Sequence, residues 1–212
     1  MAEEASEWKE NLIAVGVVAL VILLIWAWLG GWFAADDEAT ERLYNVGVDD
    51  DPMLGSPTAN VTIIQFSDYY CTACAEFHRS TWPTLKERYI DTGIARFVYR
   101  DFPIEGLHPQ AYKASATATC AGEQGAYWEF HDAFYEEEIT EELVARLVEE
   151  NALDQEALDS CRAQEWPYLE AQRDFQEGRL RGEVSGTPTF FIDGRRIVGT
   201  APIDEFAALI EG

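Results

Sequence analysis

Two periods of apolar and polar alternation run along the chain, and one stretch has no period at all. That stretch, Leu12 to Phe33, carries no charged residue and is rich in Val, Leu, Ile and Trp. At ~1.5 Å per residue it spans roughly 33 Å, enough to cross a bilayer core of ~30 Å. Trp26, Trp28 and Trp32 gather at its C-terminal end, where aromatic rings favour the membrane interface. The pattern predicts an uncleaved transmembrane anchor over residues 12–33. A cleaved signal peptide fits poorly. The run is too long, the residues before it are acidic apart from Lys9, and Trp32 and Phe33 stand where a cleavage site before Ala34 or Ala35 needs small side chains. Residues 1–11 form a short tail, and residues 34–51 an acidic spacer that ends in an apolar alternation, 44–48, read as an edge strand.

From residue 52 the periods change. Residues 61–66 read as a buried strand, 75–89 as a helix, and 94–99 as a second, parallel strand, together a right-handed βαβ crossover. Residues 109–181 follow the helical period and are rich in Ala, Glu and Arg. Breaks near Gly122 to Gly125, Thr140, Asp154 and Pro167 predict four or five helices and no strand. Thr140 and Asp154, each followed by acids, read as helix N-caps. Residues 189–192 and 196–198 flank Asp193-Gly194-Arg195, a hairpin signal. An amphipathic helix over 203–210 closes the chain. The expected architecture is an α/β domain over 52–212 with an all-helical insertion at about 107–182.

Composition narrows the function. The 212 residues are 48% hydrophobic, enough for a packed core, and the net charge of −24 excludes nucleic acid as a partner. Lys occurs only at Lys9, Lys86 and Lys113. Such a surface suits either a high-salt habitat, where self-repulsion is screened, or plain solubility.

The candidate chemistry is Cys71-Thr72-Ala73-Cys74, at the junction of a predicted strand and helix. Two thiols at this spacing close a small, reducible disulfide, and a helix N-terminus favours the first as thiolate, the nucleophilic form. A structural zinc half-site would want a second close pair of ligands, but Cys120 and Cys161 lie far apart in sequence. Dithiol redox chemistry is therefore expected, with no cofactor and no metal. It suits an oxidising compartment, which places the domain on the extracytoplasmic side of the membrane. Lys9 and Arg42, flanking the apolar run, set no orientation bias.

The motifs, in order, are Phe66-Ser67-Asp68-Tyr69-Tyr70-Cys71-Thr72-Ala73-Cys74 with Phe77-His78; Cys120-Ala121-Gly122-Glu123-Gln124-Gly125 leading to Trp128, Phe130 and His131-Asp132; and Gly186-Thr187-Pro188-Thr189-Phe190-Phe191-Ile192-Asp193-Gly194. From about Asp51 onward the chain resembles the DsbA family of thiol oxidoreductases, which have a thioredoxin-like fold with a helical insertion. The resemblance implies that Cys71 attacks and Cys74 resolves. It implies a cis bond at Thr187-Pro188 facing them, with the Thr187 backbone pairing to an extended substrate segment. It also implies reduced exported proteins as substrates and a quinone-linked membrane reoxidase as partner. Cys120 and Cys161 form either a structural disulfide between two helices or two buried free thiols.

Departures from the family pattern surround the cysteines. Thr72 stands where proline is common, Thr72-Ala73 where strong oxidants can carry histidine, and Gln65 where a buried glutamate is common. Asp68 is the nearest carboxylate left, either assisting the chemistry or capping the turn. His78, one helical turn after Cys74, is either a proton relay or a packed side chain. His131 reads as packing and His108 as a loop residue. Two other functions stay open: a reductase or isomerase of the same fold, and a non-enzymatic metal or peptide binder that uses the cysteines as ligands.

Overall fold

The computed structural model describes residues 16–25 and 42–212. The chain divides into two units, residues 1–41 and 42–212. In the first, residues 16–25 are helical (α1) and their Val, Leu and Ile side chains are exposed. The remainder of the expected 12–33 anchor, the 1–11 tail and the start of the acidic spacer lie outside the described residues. Among the described residues no helix is long and apolar enough to cross a membrane.

The second unit is built on one five-stranded sheet. Its strands are β1 (Met53–Gly55), β2 (Val61–Ser67), β3 (Ala95–Asp101), β4 (Thr189–Ile192) and β5 (Arg195–Val198). They lie in the order β1-β3-β2-β4-β5. β2 and β3 run parallel and every other pair is antiparallel. The central strands are buried on both faces and so read as nearly continuous apolar runs. Their period of two still divides them. Ile63, Phe97, Tyr99, Phe190 and Ile192 join the larger core, whereas Ile64, Phe66, Val98 and Phe191 join the smaller one behind the sheet.

Between β2 and β3 the sequence predicts one helix over 75–89. The structure instead has α2 (Thr72–Ser80), α3 (Trp82–Leu85) and a π-helical turn, Lys86–Ile90. Pro83 is the cause: it has no N–H to give the preceding turn, so the helix restarts with the proline in its first turn. The 44–48 alternation forms no strand. Tyr44 makes one backbone bond to Gly194 O at 2.8 Å and packs its ring edge-on against Phe191. The edge beside β3 is taken by β1, three residues between the breaks at Pro52 and Pro57 that are too short to show a period.

The insertion between β3 and β4 contains α4 (Ala111–Gly122), α5 (Tyr127–Glu136), α6 (Glu141–Glu150), α7 (Gln155–Arg162) and α8 (Trp166–Leu180). Thr140 Oγ1 accepts from Leu143 N at 3.1 Å and Asp154 Oδ1 from Ala157 N at 3.1 Å, so both predicted caps form. Cys120 of α4 and Cys161 of α7 form a disulfide, with Cα atoms 5.8 Å apart. α8 lies against the back of the sheet at Gly178, where a Cβ would stand 2.9 Å from two Phe66 ring carbons. The β4–β5 turn is closed by Asp193 and Gly194, both at positive φ, as a two-residue hairpin of this hand requires. α9 (Ile203–Glu211) ends the fold.

Candidate active site

The site forms where β2 hands over to α2. β2 delivers Ser67 to its buried end, Asp68 to Tyr70 make the turn, and Cys71 is the N-cap of α2. Asp68 fixes that turn. Its Oδ1 accepts from Tyr70 N at 2.8 Å, and its Oδ2 accepts from Ile104 N at 2.7 Å and His108 Nδ1 at 2.8 Å. The carboxylate thus pins the 102–108 loop to the active-site turn, and His108, read from sequence as a loop residue, is its partner.

Cys71 is half-buried and Cys74, one turn on, is buried; both are free thiols. Cys71 Sγ lies 3.4 Å from Thr187 O, across the cis peptide bond Thr187-Pro188 that precedes β4. The two segments are 116 residues apart in sequence and meet because β4 pairs with β2. The Cys71 thiol is lowered to about 5. A hydrogen bond from Cys74 lowers it most, against the opposing effect of burial. The Thr187 side chain and the backbone N–H groups of Cys74 and Ala73 add to the lowering. The Thr187 hydroxyl is buried and has no hydrogen-bond partner among the described residues, which leaves it free to turn toward the thiolate. Burial pushes the Cys74 thiol well above its ordinary value, and the bond and charge of Cys71 push it further. One sulfur is therefore poised as nucleophile and leaving group while the other holds a proton. Thr72 is exposed beside them. A groove of about 340 Å³ leads from Cys71 and Thr72 past Tyr70 and Phe134 to Ile139.

Gln65 is buried on β2 two residues before Ser67, and its Nε2 donates to Ser67 Oγ at 3.0 Å. The Ser67 hydroxyl in turn lies 2.8 Å from Tyr135 OH and offsets part of the rise in the Cys74 thiol. Neither Ser67 nor Tyr135 was expected from sequence. The period of β2, which puts residues 65 and 67 on one face, held the signal for Ser67; nothing local marks Tyr135.

His78 and His131 converge on one oxygen. His78 Nε2 is 3.2 Å and His131 Nδ1 2.9 Å from Asp132 Oδ1. Burial opposes ionisation of Asp132, but the bonds from His131 and then His78 outweigh it and hold the carboxyl well below the usual range. Burial lowers His131. These three residues offer ligand atoms within 4.8 Å of one another, yet the carboxylate already pairs both imidazoles. Cys120 and Cys161 are bonded to each other and so supply no ligands to the Cys71-Cys74 pair.

The thioredoxin family profile matches residues 48–212. The Na(+)/H(+) antiporter NhaA 3 of Salinispora tropica is 30% identical over 178 residues, covering 83% of this chain and 26% of that protein. The chain thus spans about a quarter of the length of the antiporter relatives it matches. The probable disulfide bond formation protein D of Bacillus anthracis is 26% identical over 195 residues, covering 88% of this chain and 89% of that one. Among solved structures, oxidised BdbD from Bacillus subtilis superposes with a TM-score of 0.71 at 22% identity, over 81% of this chain and 97% of that chain, a likeness of fold. A thioredoxin-like oxidoreductase from Silicibacter pomeroyi DSS-3 gives 0.66 at 26% identity, over 76% and 90%. Fold, cysteine geometry and the family profile agree: the chain belongs to the thioredoxin family.

Proposed function

We propose that this chain is a membrane-tethered oxidase that introduces disulfides into exported proteins through Cys71 and Cys74. The observation that carries the reading is the Cys71 thiol, lowered to about 5 and set 3.4 Å from Thr187 O beside a cis proline. A good leaving thiolate makes the disulfide a stronger oxidant. A substrate thiolate attacks Cys71 Sγ in the Cys71-Cys74 disulfide. The S–S bond breaks and Cys74 leaves and takes a proton. The substrate's second thiolate then attacks its own sulfur in the mixed disulfide, and Cys71 departs as thiolate. Two electrons pass from the substrate dithiol to the enzyme. The Thr187 backbone holds the substrate segment extended in the groove beside Cys71.

The apolar run from Leu12 to Phe33 supports tethering at the membrane with the domain on its extracytoplasmic side. There a quinone-linked membrane partner would reoxidise the pair at high effective concentration. The name disulfide bond formation protein D, carried by the Bacillus anthracis relative, supports the oxidising direction.

The test is the equilibrium of the full chain with a glutathione buffer, followed by oxidation of a reduced, unfolded protein. An oxidase equilibrates near about −120 mV and a reductase near about −270 mV. Cys71→Ser is expected to abolish turnover. Wild-type rates in that variant would overturn the assignment, and a potential near the reductase value would reverse the direction.

A further inference from the structure

Two histidines far apart in the chain, His78 of α2 and His131 of α5, aim one nitrogen each at the same oxygen of Asp132. His78 Nε2 stands 3.2 Å and His131 Nδ1 2.9 Å from Asp132 Oδ1. Both rings are buried, His78 at 7% exposure and His131 at 1%. Asp132 pairs both nitrogens only while each carries its proton on that side, and His131 has a reason to carry it on the other. A neutral imidazole has one N–H. With that proton on Nδ1, Nε2 is left as a buried lone pair, and Nε2 has no hydrogen-bond partner among the described residues. Its surroundings are aromatic. Tyr99, Trp128 and Tyr69 meet the His131 ring edge to face, with centroids 4.7, 4.9 and 5.9 Å away. A π face can receive an N–H but gives no proton to a lone pair. The proton is therefore better held on Nε2. Nδ1 then directs a lone pair at a carboxylate oxygen 2.9 Å away, and such a pair calls for a cation between them.

We propose that His78, His131 and Asp132 bind a borderline divalent transition-metal cation, with Zn²⁺ as the type, and so clamp α2 to α5. The proposal goes beyond the redox reading and does not depend on it, because no cysteine is a ligand. A tetrahedral zinc with bonds of ~2.0–2.1 Å holds its ligand atoms roughly 3.3 Å apart. The two separations to Asp132 already stand near that value, and the three residues offer ligand atoms within 4.8 Å of one another. Two imidazoles and one carboxylate suit Zn²⁺ and its first-row neighbours, whereas Ca²⁺ and Mg²⁺ prefer oxygen ligands throughout.

The ion has a way in and room for a fourth ligand. The Asp132 side chain is 48% exposed. A recess of about 370 Å³ opens onto His78 and Asp132, with Trp82, Pro83 and Glu136 in its wall. Arg79 and Lys86 share that recess, and each is paired: Arg79 lies 3.7 Å from Glu76 and Lys86 2.7 Å from Asp91. Their charge is thus offset before a cation arrives, and water or the Glu136 carboxylate can complete the coordination.

The test is a Zn²⁺ titration of the oxidised full chain against a chromophoric chelator. With Cys71-Cys74 and Cys120-Cys161 both closed, none of the four cysteines offers a thiolate. One equivalent of zinc is expected to bind. His78→Gln and Asp132→Asn should each weaken it by about tenfold or more. His108→Gln, which alters the third histidine of the chain, should leave the affinity unchanged. Asp132 is half-exposed, so its variant serves if His78→Gln does not fold. Co²⁺ in the same site should give visible d–d bands without a thiolate-to-metal charge-transfer band, and Ca²⁺ in large excess should not displace it. An oxidised wild-type chain that binds no zinc overturns the site, as does wild-type affinity in a folded His78→Gln or Asp132→Asn protein. Zinc that binds only the reduced chain, with the thiolate band in its Co²⁺ spectrum, belongs to Cys71 and Cys74 and equally overturns it. None of these outcomes bears on disulfide exchange, which the glutathione equilibrium tests separately.

Discussion

At Cys71 the chemistry turns on what holds a negative charge on a half-buried sulfur. Burial alone would raise its pKa, and four donors, led by the Cys74 thiol, reverse that sign. The Cys71 thiolate should therefore appear with a midpoint near 5, read as thiolate absorbance or as the pH dependence of alkylation. Thr187→Val deletes one donor and leaves the backbone path in place. A bond to a charged acceptor contributes about 1.5–3 kcal/mol when buried, and less where solvent reaches the sulfur, so the midpoint should rise by about one pH unit. An unchanged midpoint would remove Thr187 from the account. Sequence could place Cys71 at a helix start and name Thr187 by resemblance. It could not weigh these donors, because three of the four come from within the same turn and depend on its closure. Asp68 shows the same limit: its two oxygens are taken by Tyr70, Ile104 and His108, partners as far as 40 residues away.

Among the elements, the inserted helices hold to one another partly through Cys120 and Cys161. Their bond joins α4 to α7 across 41 residues of chain. Closing a loop of that length restricts the unfolded chain by about 4 kcal/mol, and engineered cases often give less. Replacing both cysteines by Ala should thus lower unfolding free energy in denaturant by up to about 4 kcal/mol, with Cys71 alkylation unchanged. A loss of Cys71 reactivity would mean that the bond also shapes the active site. The order of elements was largely legible: the βαβ unit, the helical block with its caps at Thr140 and Asp154, and the Asp193-Gly194 hairpin all follow from period and turn chemistry. The kink at Pro83 and the strand β1 were not read. A proline in a helix's first turn looks like one inside it until the break is located, and a three-residue strand is shorter than the period that would reveal it. The hydroxyls behind Cys74 stayed hidden for another reason: Tyr135 arrives from α5, 68 residues after Ser67, through packing alone.

Across the whole molecule, charge links folding to redox state. Burial, then the charge of Asp174, raises Asp51 to about 9 and Asp101 to about 8, against the opposing pull of Arg100. Both acids hold protons in the folded state that they lose when unfolded at neutral pH. Their stabilisation is full below about pH 4 and lost as pH rises through 8 to 9, at up to about 1.4 kcal/mol per pH unit for each. The oxidised and reduced proteins share this loss, so it cancels in their difference. Cys71 does not cancel, because only the reduced form has a thiolate. Its folded pKa lies below the unfolded value of about 8.5. Its contribution is therefore full above that value and lost as pH falls through 5. Cys74 stays protonated in the folded chain throughout and in the unfolded chain up to about pH 7.5, so it adds nothing between pH 5 and 7. The stability of the reduced protein relative to the oxidised one should accordingly grow from pH 5 to about 7.5. At pH 7 the gain over pH 5 should be roughly 1–2 kcal/mol once solvent screening of the half-buried sulfur is allowed for. Denaturant unfolding of both redox forms between pH 5 and 8 measures it. A difference that does not change with pH would mean that the thiolate gains nothing from the fold, and the proposed oxidising strength would lose its source.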